Sequence, residues 1–164
     1  MERNKEDIDI RYLSEIDLNE NSKEIIELLN DNYLINFPNH HDLSNFAISN
    51  FHDMKKFIND GSALIIAAYS GGKVIGFLWA YRRLFLGEER LHISHIVVDA
   101  AFRGYGIGTR MIDFIEKYAL EKNIKVIELL TTSKNERTIE FYNKHGFSVT
   151  RVQFEKNLGD KDDN

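Results

Sequence analysis

The stretch VVDAAFRGYGIGTRM, Val97 to Met111, decides how this chain is read. It sets Gly104, Gly106 and Gly108 on alternate positions, after an apolar run and before a helical pattern. Glycine loses more backbone freedom on folding than any other residue, so such a cluster at a strand-to-helix junction needs a geometric reason. The reason inferred here is close approach of the backbone to a phosphate-bearing cofactor. A tight turn whose glycines serve packing is the competing reading.

Two familiar nucleotide loops do not fit. A dinucleotide fingerprint started at Gly104 needs a further glycine where Thr109 stands, and a triphosphate loop needs a Gly-Lys-Ser/Thr run that is absent. The general physics of anion binding still applies. The first N–H groups of a helix are unpaired and lie at the positive end of its dipole. Glycine lets an anion reach them without meeting a β-carbon. Arg103 either adds positive charge there or is a solvated side chain.

Outward from that turn, Leu91–Val98 reads as a strand, and Ile107, Met111, Ile115, Tyr118 and Ala119 mark a helix by their spacing. KVIELLTT, from Lys125, is a further strand. Asn135–His145 is a short helix closed by Gly146, and FSVTRVQFE from Phe147 is a last strand. Upstream, Ile8, Ile10 and Tyr12 alternate as a short strand. Helical spacing follows from Asn21, with Ser22 as a candidate cap, and again from Leu43 to Ile58 after the break at NFPNHHD. Two strands joined by Gly71-Gly72 read as a hairpin. The expected order is β-α-α-β-β-β-α-β-α-β, a mixed sheet with helices on its faces.

The 164 residues, 43% hydrophobic and 29% charged, suit one globular domain, expected over 1–158 with a disordered acidic tail at 159–164. A net charge of -5 and no basic-aromatic stripe argue against a nucleic-acid binder. The absence of cysteine excludes disulfides, thiolate metal sites and cysteine nucleophiles. No run approaches the ~18 apolar residues of a membrane span, and the N-terminus lacks a secretion signal, so the expectation is a cytoplasmic protein without membrane partners. His40, His41 and Asp42 lack the intervals of a helical metal site, so no metal is expected.

VVDAAFRGYGIG resembles the acyl-CoA-binding signature of the GNAT N-acetyltransferase superfamily, V-x-P-x-x-R/Q-G/R-x-G-x-G/A, through Val98, Arg103, Gly106 and Gly108. NERTIEFYNKHGF is similar to a second block, N-x-x-A-x-x-x-Y-x-x-x-G-F, through Asn135, Tyr142, Gly146 and Phe147. Ala100 stands in place of the usual proline and Thr138 in place of a small alanine. The resemblance implies an α/β (α+β) fold whose mixed, largely antiparallel sheet carries two splayed parallel strands, here Leu91–Val98 and Lys125–Thr131. It implies acetyl-CoA as co-substrate and transfer of acetyl to a primary amine by direct attack on the thioester. Homodimers are common in that family.

On the same basis, backbone groups of Ile96, Val97 and Val98 would pair with the pantetheine arm and polarise the thioester carbonyl. The N–H groups of Arg103, Gly104, Tyr105, Gly106, Ile107, Gly108 and Thr109 would hold the diphosphate. Asn135 would bond the cofactor, cap its helix, or both. Tyr142 would protonate the leaving sulfur, as a phenol protonated at neutral pH is able to do. Where many relatives carry a glutamate base, this chain has Ser94. His92, two residues earlier on the same strand face, is the candidate base; His95 is expected on the opposite face. A water chain is the alternative. Tyr33, Phe37, His40, His41, Trp79 and Tyr81 are acceptor-side candidates, and aromatic and acidic side chains near that pocket would suit a cationic amine. A reading from another class is an acyl-CoA-binding sensor without catalysis.

Overall fold

The computed structural model describes residues 8–156. The acidic tail expected at 159–164 lies outside these residues. Strand β1 (Asp9–Tyr12) leads into three helices, α1 (Glu15–Glu20), α2 (Ser22–Asn36) and α3 (Leu43–Asn59). Strands β2 (Ala63–Ser70), β3 (Lys73–Phe85) and β4 (Glu88–Val98) follow, then α4 (Ile107–Glu121), β5 (Val126–Leu129) and α5 (Glu136–Lys144). The five strands form one sheet in chain order, antiparallel except for the β4–β5 pair.

Alternation along the strands builds two cores. Leu64, Ile66, Leu78, Leu91 and Ile93 face Ile107, Met111 and Ile115 of α4. Ile65, Ala67, Phe77 and Trp79 face Ile25, Leu29, Phe51 and Met54 of α2 and α3. Helices therefore cover both faces, as the apolar spacing of their sequences requires.

Four elements depart from what the sequence leads one to expect. Helix α1 is additional; Ser14 caps it and shares a reciprocal capping box with Asp17. The strands β3 and β4 are longer than read and meet in a second hairpin at Leu86-Gly87, both at positive φ. The strand expected over Phe147–Glu155 does not form: beyond Gly146 the described chain has no regular structure, and Val149, Val152 and Phe154 are exposed. Its apolar residues change phase between Val149 and Val152, so no single strand face is apolar and no register is preferred.

Candidate active site

The parallel pair β4–β5 stops early. Arg90 through Ile93 pair with Val126 through Leu129, and then the two strands separate. From Ser94 to Val98 the β4 edge that faced β5 has no strand beside it among the described residues; of Ile96, Val97 and Val98, only Ile96 lines the cleft in that fork. The expectation of splayed strands at Leu91–Val98 and Lys125–Thr131 is met, with the strand part of the second confined to Val126–Leu129. A cleft of about 360 Å³ occupies the fork, walled by α2, β4, the chain after β5, and α5.

A bulge sets what faces this cleft. Trp79 pairs with His95 and Ala80 with Ile93, leaving Ser94 as an extra residue in β4. An inserted residue reverses the alternation beyond it. His95 therefore joins His92, Trp79 and Tyr81 on the face covered by α2 and α3, not the opposite face expected from strict alternation. Both histidines pair across the strand with an aromatic residue, His95 with Trp79 and His92 with Tyr81.

The two histidines nevertheless differ. His95 lines the cleft, with Nε2 3.0 Å from the Tyr33 hydroxyl and Nδ1 2.9 Å from Ser94 Oγ. Burial holds its pKa down at about 4, so the ring is neutral at physiological pH. Burial also lifts the Tyr33 phenol to about 12. A neutral imidazole donates through one nitrogen and accepts through the other, so Ser94, His95 and Tyr33 form a continuous hydrogen-bonded chain. His92 stands outside the cleft, one strand step before the fork, with Nδ1 3.4 Å from Glu128. Burial lowers the His92 pKa, and Arg83 adds to this against the pull of Glu128.

Glu128 is the hub of a charged cluster. It is paired with Arg83, with Arg90 at 3.1 Å and with Arg151 at 3.3 Å. Burial alone would raise its carboxyl, but Arg90 and Arg83, helped by His92, outweigh that and hold it below the usual carboxylate range.

Tyr142 of α5 enters the cleft from the other wall and is 7% exposed. Its ring is held edge-on by Phe141 and Phe147, and burial raises its phenol well above the usual value, so it is protonated at neutral pH. Its hydroxyl has no protein partner among the described residues. Asn135 caps α5 by accepting from the Thr138 N–H at 3.2 Å. Its Nδ2 donates to Asn36 Oδ1 at 2.9 Å, and Asn36 Oδ1 also accepts from Thr132 Oγ1 at 3.2 Å.

The glycine turn follows β4 through a short helical turn at Ala100–Phe102. Gly104 and Gly106 have φ of +84° and +77°, where L side chains are strained. Gly108 differs: it is already helical, and a β-carbon there would lie 3.1 Å from the Phe141 ring. Its smallness lets α5 seat against the first turn of α4. Intrahelical bonding starts at Arg110, which donates to the Gly106 carbonyl. The N–H groups of Gly104 through Thr109 have no acceptor among the described residues. Arg103 is different again, because its N–H is taken by the Ala100 carbonyl at 3.4 Å and its Nε donates to the Val98 carbonyl at 3.2 Å.

Residues 22–147 match the Acetyltransferase (GNAT) family. The chain belongs to that family. An uncharacterized N-acetyltransferase of Archaeoglobus fulgidus is 31% identical over 108 residues, 61% of this chain and 73% of that protein. Mycothiol acetyltransferase of Propionibacterium freudenreichii subsp. shermanii is 30% identical over 90 residues, 55% of this chain but 29% of its own length. The chain thus spans well under half the length of several curated relatives that it matches. The PaiA N-acetyltransferase from Thermoplasma acidophilum, solved in complex with coenzyme A, has the same fold: TM-score 0.73 at 18% identity, over 89% of this chain and 92% of that one. The GNAT resemblance carried by Val98, Arg103, Gly106 and Gly108, and by Asn135, Tyr142, Gly146 and Phe147, is therefore correct.

Several cleft residues carry no signal in the sequence. Asn32, Asn36, Thr131 and Thr132 line the fork only because α2 and the chain beyond β5 converge there. Of the acceptor-side candidates, Tyr33 and Phe37 line the cleft. Trp79 and Tyr81 sit behind it, in contact with His95 and His92. Among the described residues no helix is long and apolar enough to cross a membrane.

Proposed function

We propose that this GNAT chain is an acetyl-CoA-dependent N-acetyltransferase that moves an acetyl group directly onto a primary amine. The observation that carries the proposal is the run of N–H groups from Gly104 to Thr109 that have no acceptor among the described residues, in the turn between β4 and α4. A diphosphate fits free amides at a helix start, and a pantetheine arm fits an unpaired strand edge. These features suit acetyl-CoA, which when bound would supply an activated acyl thioester.

The chain's own groups have defined tasks in this proposal. Backbone groups of Ile96, Val97 and Val98 hold the arm in extended register, and their fixed donors polarise the acyl carbonyl. Tyr142, protonated and without a protein partner, donates its hydroxyl proton to the departing sulfur. Ser94 Oγ takes a proton from the amine as its own passes to His95 Nδ1; Nε2 then passes a proton to Tyr33 and on to water. The imidazole exchanges tautomers and never has to carry a full charge. His92 lies along the amine's approach, one strand step before the fork.

Calorimetry with coenzyme A, followed by thiol release from acetyl-CoA across a panel of amines, tests the proposal. Binding that weakens in Gly106→Ala, with turnover of at least one amine, supports it. Absence of binding at millimolar coenzyme A overturns it. Binding without turnover of any amine assigns the chain to cofactor sensing instead.

A further inference from the structure

The charge around the fork contradicts a cationic acceptor. The polar side chains lining the cleft are amides and hydroxyls such as Asn32, Asn36, Ser94 and Thr132, together with the neutral His95 and the phenols of Tyr33 and Tyr142. Among the described residues, no aspartate or glutamate lines it. A polyamine or amino sugar carrying several positive charges would enter without a carboxylate to meet it, and desolvating an unpaired charge is expensive.

The ionised groups clustered beside the parallel β4–β5 pair have the opposite balance. On the α2/α3 face, one strand step before the fork, Arg83, Arg90 and Arg151 surround Glu128. Glu88 is the other carboxylate in this cluster, engaged by Arg90 through both Nε and Nη2. All three guanidiniums also gather on one ring, their carbons 5.8, 4.5 and 4.1 Å from the Phe85 centroid. Three cations on two carboxylates leave one positive charge over. Moreover, Arg83 Nε is buried and has no hydrogen-bond partner among the described residues, and Arg151 is half-exposed, with Glu128 at 3.3 Å as its one ion-pair partner among them. An unpaired buried donor costs free energy that an incoming acceptor group would recover. Guanidinium forks bind carboxylate and phosphate oxygens in pairs.

We infer that the acceptor amine carries an anionic group, a carboxylate or a phosphate, which docks on Arg83 and Arg151 while the amine stands at Ser94. The cluster and the cleft share one strand: Arg90, His92 and Ser94 follow at alternate positions of β4. His92 lies on β4 between Arg90 and Ser94, and the positive cluster repels polycations.

This inference rests on the acetyltransferase proposal, and two measurements separate their failures. In the first, protein saturated with coenzyme A is titrated calorimetrically with succinate and with inorganic phosphate, which distinguishes the two anions. Wild-type protein binds at least one of them, and Arg83→Gln/Arg151→Gln weakens that binding about tenfold or more, which is 1.4 kcal/mol, with coenzyme A affinity unchanged. The exposed single variant Arg151→Gln guards against a folding defect in the double variant. In the second, thiol release from acetyl-CoA is compared for β-alanine against its amide, phosphoethanolamine against ethanolamine, and spermidine. The anionic member of a pair is favoured in kcat/KM, and the arginine variants erase the preference. Coenzyme A binding with neither anion bound, or with spermidine the best acceptor, overturns the inference. Failure to bind coenzyme A at all overturns the proposal beneath it.

Discussion

His95 lies flat against Trp79, their ring centroids 5.5 Å apart and their planes within 4° of parallel. Only the bulge at Ser94 makes this contact; in an unbroken strand His95 would face α4. The stack desolvates the imidazole and fixes its plane, so that its two nitrogens reach Tyr33 and Ser94 and no others. One inserted residue thus moves a histidine from the α4 face of the sheet to the wall of the cleft.

That burial makes the fold sensitive to acid. The His95 pKa is about 4 in the folded chain against 6.5 unfolded, so the unfolded chain binds the extra proton first. Stability is undiminished above pH 6.5 and falls as the pH drops from there toward 4, by at most roughly 3 kcal/mol from this group. Urea denaturation at pH 7 and pH 4.5 measures the loss. His95→Phe keeps the stack but lowers stability at pH 7 by removing two hydrogen bonds. The loss between the two pH values should nonetheless shrink, and an unchanged loss would show that other groups cause it.

Tyr142→Phe removes one oxygen from the cleft and leaves the ring between Phe141 and Phe147. Because the hydroxyl has no protein partner among the described residues, thermal stability and coenzyme A affinity should stay near wild type. If the phenol is the acid for the departing thiolate, kcat falls by about a hundredfold or more with little change in KM. A thiol-release assay and calorimetry on the same preparation check both halves.

The glycines of the turn separate into two kinds, and substitution should show it. Gly106→Ala forces a β-carbon onto a backbone at φ +77°, at a cost of about 1 kcal/mol, and weakens coenzyme A binding by crowding the amides. Gly108→Ala strains no φ but drives a methyl into Phe141, so α5 and Tyr142 must shift. It should lower kcat more than it lowers cofactor affinity. Equal effects of the two substitutions on both quantities would contradict the division.

Much of this site was legible in sequence because its signals are local. Alternate glycines, the Asn135 cap and Gly146 each encode backbone geometry within a few residues, and helix and strand spacing placed α2 to α5 and β1 to β5. Helix α1 is absent from the expected order: Ser14 stands three residues before Asp17, but six residues are too short for apolar spacing to mark. The bulge at Ser94 has no local signature; it depends on how β3 and β4 settle against two cores at once. The Glu128 cluster and the contact between Asn36 and Asn135 join residues far apart in the chain. Their charges and amides are ordinary surface types until the fold brings them together. The strand expected over Phe147–Glu155 is absent because its apolar residues change phase after Val149, so neither face of a strand would be apolar.

Asn36 is the remaining control point. Its Oδ1 receives Thr132 Oγ1 and Asn135 Nδ2, while its Nδ2 donates to the Asn32 carbonyl at 2.8 Å and to Asn32 Oδ1 at 3.1 Å. A single amide therefore ties the C-terminal end of α2 to the N-terminus of α5 across the mouth of the fork. Asn36→Ala should cost about 1 kcal/mol, since the freed groups are only half-buried and water replaces part of what is lost. Asn135 keeps its cap to Thr138, so α5 stays folded. Hydrogen exchange should quicken in residues 130–135 and at the end of α2 while the two cores keep their protection. If the tie shapes the acceptor pocket, KM for the amine rises and coenzyme A affinity holds. Asn36→Asp keeps the acceptor oxygen but has no N–H for Asn32, so it should fall between wild type and alanine. Uniform loss of protection across the sheet in both variants would mean that Asn36 supports the whole fold and not the mouth of the cleft.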